Sequence, residues 1–296
     1  MSTWKKTDQE MYENQRVKQP SMPIEPNGHI KQVERYYQRN TEAFLRLGEN
    51  EGVPAIHIAL WPEGTETVAE AMEVAHELVL ERIQDLPLLR VADLGCGMGA
   101  ALVHLDRHLS EKVELYGLTL GTPTLGSNTS ERIQIQHGDF HEADTLLPPC
   151  SAAFCIEAMA HSNEPERFFA AAGRLLEPGG RLIVIDDVVM HTETPSTALQ
   201  TYRAHWLASG VRPLGELTRW AANAGLTLTF SKDLTPWIRL GRPRDRWLRW
   251  TRPLWGWLSH TSQYAKSLSG GDARQRCLET GETQFQILEF VRESVE

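Results

Sequence analysis

The stretch Val91-Ala-Asp-Leu-Gly-Cys-Gly-Met-Gly-Ala100 places Asp93, Gly95, Gly97 and Gly99 where a short apolar run gives way to a helical one. Glycines at this spacing turn the chain tightly and let a ligand lie against bare backbone, and the helix that follows offers unpaired N–H groups. The spacing predicts a docking place for a flat, polar ligand. Ala100 also completes the looser GxGxxA pattern of dinucleotide loops, so the glycines alone do not choose the ligand. Asp93 does discriminate, because a carboxylate suits a cationic amino group and repels a pyrophosphate. Further along, Glu157 follows the apolar stretch AAFCI, with His161 four residues later. At the carboxyl end of a central strand such a pair could accept a proton or stabilise positive charge, Glu157 and His161 being the candidate catalytic groups.

These residues need strands and helices to hold them. Thr67 and Glu70 spell a capping box, and Val68, Ala71, Met72, Ala75, Leu78, Val79 and Ile83 then recur at helical spacing. From residue 87 short apolar runs alternate with helical ones, the pattern of a parallel sheet with crossover helices. Strands are expected at 89–94, 113–119, 132–137, 151–157 and 181–187, with helices near 100–110 and 164–176. Runs at 226–231 and 283–291 would complete seven strands. The expected organisation is a flexible arm at 1–29, a helical cap at 30–86, a ligand-binding core at 87–188, and cap insertions plus the last two strands at 189–296. Residues 189–225 and 234–281 are too long for ordinary connections and are expected to build the cap. Asp186 and Asp187, adjacent on a strand, should point to opposite faces, at least one toward solvent or the cap.

Three motifs in order now carry a resemblance. DLGCGMG at 93–99, GDF at 138–140 and LEPGGRL at 176–182 resemble the motifs of class I S-adenosylmethionine-dependent methyltransferases, most closely over 88–188. The stretches EAMAH at 157–161 and YGLTLGTP at 116–123 resemble the branch containing tocopherol, prenyl-diphosphate and small natural-product methyltransferases. The resemblance implies an α/β fold, a Rossmann-like seven-stranded methyltransferase sheet with a helical cap, and S-adenosyl-L-methionine as cofactor. By the same resemblance Gly95, Cys96, Gly97 and Gly99 pass under the methionine part, Asp93 meets its amino group, and Asp139 with Phe140 frames the adenine. The residue ending strand two is Thr119, followed by Leu120, where most class I members have an acid for the ribose. Tyr37, on a segment that commonly folds over the cofactor, is a further cofactor contact; His57 and Trp61 are assigned to the substrate side.

Composition sets the outer limits. The chain has 296 residues, 41% hydrophobic and 23% charged, within the range of folded proteins. Its net charge of -9 argues against generic nucleic-acid binding. The four cysteines, Cys96, Cys150, Cys155 and Cys277, form no paired framework and no CxxC zinc pattern, so reduced thiols and no metal site are expected, and the lack of a signal-like apolar stretch at the amino terminus or of 18 apolar residues in a row makes a cytoplasmic location the expectation. The run 237–257 departs from this average, holding five of the nine tryptophans, six arginines and one acid. Trp237, Trp247, Trp250 and Arg246 are the candidates there for a lipophilic small-molecule acceptor, and the same surface could rest on a membrane. The expected activity is methyl transfer to a small lipophilic, isoprenoid-like natural product at carbon or oxygen. Its rivals are an NAD(P)-dependent oxidoreductase and a peripheral membrane-binding module with a vestigial cofactor site.

Overall fold

The computed structural model describes residues 28–35, 56–121, 130–190, 194–242, 250 and 263–294. Strands β1 (Arg90–Leu94), β2 (Glu114–Thr119), β3 (Ile133–His137), β4 (Cys150–Ile156), β5 (Leu176–Val189), β6 (Leu226–Asp233) and β7 (Thr283–Arg292) form one sheet in the order β3-β2-β1-β4-β5-β7-β6. β1 to β5 run parallel, whereas β7 pairs antiparallel with both β5 and β6. The carboxyl ends of the parallel strands therefore share one edge with the start of β7, where Val189 pairs with Thr283.

Period-two alternation sends successive strand residues into two cores. Val91, Leu115, Ala152, Phe154, Ile183 and Ile185 pack on the side of α1 (Val68–Ile83) and α2 (Ala100–His108). Ala92, Leu94, Leu118, Ala153, Cys155 and Val184 pack on the side of α4 (Pro165–Leu175), which follows the short α3 (Ala143–Leu146). The capping box forms as the sequence predicts: Thr67 Oγ1 accepts from Glu70 N at 3.2 Å, and Glu70 Oε2 accepts from Thr67 N at 3.0 Å. Of the segment expected to build a cap, α5 (Thr197–His205) packs against α7 (Gln263–Glu279) through Leu199, Tyr202, Ala273 and Cys277. α6 (Leu214–Asn223) does not. Its Leu217 and Ala221 join the α4 core, so it is an ordinary layer helix beside the sheet.

Residues 28–35 are helical and lie across the ends of the strands, with Ile30 and Val33 buried. His29 Nε2 bonds the His161 carbonyl at 2.9 Å, and Glu34 faces His137 at 3.9 Å, so this helix reaches from the end of β4 to the end of β3. Among the described residues no helix is long and apolar enough to cross a membrane.

Candidate active site

β1 leads straight into the glycine turn, and the backbone there is left-handed three times: φ is 104° at Gly95, 53° at Gly97 and 82° at Gly99. The N–H groups of Gly95 and Cys96 both donate to the Leu118 carbonyl, at 3.0 and 2.9 Å, which pins the turn to β2. The two glycines of the turn meet different surroundings. A Cβ on Gly95 would come within 2.4 Å of Ala158 Cβ, whereas one on Gly97 would meet nothing within 4 Å. Gly95 is thus required by the close approach of the turn after β4, and Gly97 opens onto free space. Gly99, as N-cap of α2, has no side chain to occupy the helix's first N–H groups.

Asp93 is 4% exposed, and burial alone pushes its carboxyl well above the usual range, with no cation among the described residues to counter it. An incoming ammonium group would supply that charge. The open cradle at Gly97 and the uncompensated Asp93 fit the methionine part of S-adenosylmethionine. Cys96 differs from the others, because its side chain is buried in the α1/α2 core, within 2.7 Å of where a Gly117 Cβ would stand. Only its backbone can face a ligand. Thr119 is buried at the end of β2 and its Oγ1 accepts from Gly121 N at 3.1 Å; Leu120 beside it is half-buried.

Asp139 begins a short 3-10 turn, Phe140–Glu142, and its Oδ1 accepts from His141 N at 3.0 Å and faces His141 Nδ1 at 2.7 Å. Burial raises the Asp139 carboxyl, but the His141 hydrogen bonds and charge outweigh it and hold the group below its ordinary value. The Phe140 ring stands edge-on to Phe168, centroids 5.3 Å apart, and its Cδ1 would lie 3.9 Å from a Gly95 Cβ. Phe140 and the glycine turn therefore border the same space.

Glu157 stands just past β4 with φ of 47°, one of two non-glycine residues with positive φ among those described, the other being Leu207. Left-handed backbone at a bulky residue costs free energy and persists only where its surroundings enforce it. Here Glu157 N donates to the Ile185 carbonyl at 2.8 Å, its Oε1 accepts from Ile58 N at 2.7 Å, and its Oε2 faces Arg274 Nη1 at 3.3 Å. Arg274 comes from α7 and is 5% exposed; its Nε donates to Asp187 Oδ2 at 2.6 Å, which also accepts from the Tyr202 hydroxyl at 2.6 Å. Sequence reasoning missed Arg274 and Tyr202, since nothing in their local spacing marks them.

The His161 imidazole engages the backbone of Leu207 and Trp206, just after α5, and burial lowers its pKa to about 4. Asp187 faces the helices α5 and α7, as expected of one of the pair, and both aspartates are buried: Asp186 accepts from Ala160 N and Asp187 N, and Asp187 holds Arg274. The cap covers the face that strand alternation leaves to solvent.

The substrate-side candidates are partly assembled. His57 precedes the Ile58 N–H that binds Glu157, and its Nε2 meets His76 Nε2 at 3.0 Å. Trp61 N donates to the Trp237 carbonyl at 2.7 Å, and the two rings carry Arg239 and Lys232 over their faces, at 3.2 and 4.2 Å. Residues 57–61 thus run from Glu157 to the chain after β6. Trp250 is 80% exposed. Tyr37, Trp247 and Arg246 lie outside the described residues. Among those described, no cluster of three or more His, Cys, Asp or Glu could hold a metal ion.

Residues 92–184 match the family described as a methyltransferase domain. The chain is 30% identical over 146 residues to an O-methyltransferase of Pyrenophora dematioidea, covering 45% of this chain and 54% of the relative. It is 27% identical over 196 residues to the methyltransferase GfsG of Streptomyces halstedii, covering 62% and 70%. In fold it is similar to geranyl diphosphate C-methyltransferase from Streptomyces coelicolor, solved with geranyl diphosphate and S-adenosyl-L-homocysteine. That superposition has a TM-score of 0.68 at 19% identity and covers 91% of this chain and all of the other.

Proposed function

We propose that this chain, whose core is a class I methyltransferase domain with S-adenosylmethionine as its cofactor, methylates a small lipophilic acceptor at carbon or oxygen. The observation that carries this reading is the join between the two motifs. Gly95 and Ala158 approach so closely that the glycine turn and the turn that carries Glu157 form one corner. The cofactor brings a methyl group already activated on a sulfonium, so the protein's task is alignment, exclusion of water and care of one proton.

Asp93 would receive the ammonium end, Gly97 would leave room for the methionine part, and Phe140 would border the adenine. Glu157 has one lone-pair site on each oxygen taken, by Ile58 and Arg274, and others free. It can take the hydroxyl proton of an oxygen acceptor, or the proton lost after methylation of an alkene carbon. Trp61 and Trp237, on chain segments that lead away from the Ile58 N–H, carry Arg239 and Lys232 over their rings and combine apolar surface with positive charge. This favours an acceptor with a greasy body and an electron-rich or anionic end, and the geranyl diphosphate enzyme of the same fold supports an isoprenoid. A second reading, contact with a lipid surface through 237–257, rests on the exposure of Trp250.

Calorimetry with S-adenosylmethionine and NADH, followed by turnover of methyl-labelled S-adenosylmethionine with geraniol, geranyl diphosphate and simple phenols, tests the proposal. The expected result is binding of the first ligand alone and label in at least one lipophilic product. Binding of NADH instead would refute it.

A further inference from the structure

Glu157, Arg274 and Asp187 form a buried chain of charge whose count is uneven. One guanidinium serves two carboxylates, Nε at 2.6 Å from Asp187 and Nη1 at 3.3 Å from Glu157, and the side chains are 6%, 0% and 14% exposed. Among the described residues the remaining nitrogen, Nη2, is buried without a hydrogen-bond partner, as is Asp187 Oδ1. Among the described residues the neighbours supply no further charge, His161 being held neutral by burial. Tyr202 donates its hydroxyl to Asp187, and burial and the Asp187 charge keep it un-ionised. Asp186 is raised to about 8 by burial and by Asp187, so it is mainly protonated at neutral pH, and burial lowers the pKa of His57 beside Glu157. Trp206 and Phe285 bring only rings, their centroids 5.6 and 5.3 Å from the guanidinium carbon.

Two carboxylates against one guanidinium leave one negative charge in a buried place, which is costly unless a cation joins it. A sulfonium is such a cation, and it has no proton to donate, so it responds to the field of a carboxylate rather than to a hydrogen bond. After transfer the sulfur is a neutral thioether. We propose that Arg274 and Asp187 are positioning residues that set the charge presented by Glu157, so that the site distinguishes S-adenosylmethionine from S-adenosylhomocysteine by charge. The inference rests on the reading of this corner as the methyl-donor site. Glu157 alone would present its full charge; sharing Arg274 with Asp187 lets it keep most of that charge while remaining fixed in place.

The test is the ratio of the two dissociation constants, measured by calorimetry without any acceptor at pH 6.5, farther below the Asp186 value of about 8. Asp187→Asn removes a negative charge away from the ligand and frees Arg274 to neutralise Glu157. The S-adenosylmethionine constant should rise about tenfold relative to that of S-adenosylhomocysteine. Arg274→Gln leaves two carboxylates unopposed and should move the ratio the other way. Tyr202→Phe changes packing and a hydrogen bond but no charge, and should leave the ratio within twofold. Opposite signs are the signature, because structural damage weakens both ligands in both variants. Shifts of the same sign, or a ratio within twofold in both, overturn the inference. If circular dichroism shows Asp187→Asn unfolded, Glu157→Gln takes its place, and an unchanged ratio there has the same force. Failure of the parent protein to bind either ligand overturns the donor-site reading itself.

Discussion

Replacing Gly95 and Gly97 each by alanine separates the two things a glycine turn can do. At Gly95 the added methyl would sit 2.4 Å from Ala158 Cβ, more than 1 Å inside ordinary carbon contact, and the backbone is at φ 104°. Overpacking of this kind costs about 1–3 kcal/mol, and left-handed backbone about 1–2 kcal/mol more. The sum, about 2–5 kcal/mol, falls on the fold and pushes the Ala158–Glu157 turn away from the cradle. At Gly97 the φ of 53° carries the same backbone cost, but the methyl touches no protein atom within 4 Å. Stability should fall by about 1–2 kcal/mol only, while the methyl stands in the open space that the proposed function gives to the cofactor. Urea denaturation of the ligand-free proteins should therefore rank Gly97→Ala above Gly95→Ala. Calorimetry should show at least a tenfold loss of S-adenosylmethionine affinity in Gly97→Ala. Equal stabilities, or donor affinity within twofold of the parent for Gly97→Ala, would refute the reasoning.

On the proposed role of Asp93, Asp93→Asn removes a carboxyl that would ionise against an ammonium group, a charged hydrogen bond worth about 1.5–3 kcal/mol, and should weaken S-adenosylmethionine about tenfold or more by calorimetry while the apo protein melts no lower. Glu157→Gln should slow transfer of labelled methyl to an acceptor about a hundredfold if the carboxylate takes the proton. In α7 a Cβ on Gly270 would lie 2.2 Å from Trp206 Cδ1, whereas one on Gly271 would lie 3.4 Å from Trp206 Cζ2. Gly270→Ala should thus lower the urea midpoint despite alanine's helical preference, and Gly271→Ala should hold or raise it. His57, His76, His104 and His161 all have pKa values lowered by burial, His161 to about 4. Neutral in the fold but protonated in the unfolded chain below about pH 6.5, they contribute stability that is present above that pH and lost as it falls toward 4; thermal melts across pH 4–7 measure this.

The sheet was legible because its signal is local. Seven apolar runs and the capping box at Thr67 lie within a residue or two of the observed elements, apart from β5, which begins five residues early at Leu176. The glycine turn was legible for the same reason, since positive φ at Gly95, Gly97 and Gly99 is what the residue type permits. What escaped is what distant chain segments decide. Arg274 reaches Glu157 across 117 residues, from a helix whose other charges, Lys266, Asp272, Arg276 and Glu279, look no different in sequence. Alternation along β5 rightly separates Asp186 from Asp187, yet it cannot tell that α5 and α7 cover the second face. The role of α6 was hidden likewise, because an amphipathic helix does not say which apolar surface it will meet.

Glu157 is the residue on which both lessons meet. Its place after β4 followed from the apolar run, but no propensity would put glutamate at φ 47°, where glycine or asparagine is at ease. The strain is sustained by three partners from separate parts of the chain: Ile185 on β5, Ile58 before α1, and Arg274 on α7. An extended backbone at this position would aim the carboxylate along a different path and release the Ile58 and Arg274 contacts together. The left-handed turn thus brings a negative group to the corner where Gly95 presses on Ala158, and a conformation unfavourable by about 1–2 kcal/mol is stable because the sheet, the amino-terminal segment and the cap each hold one side of it.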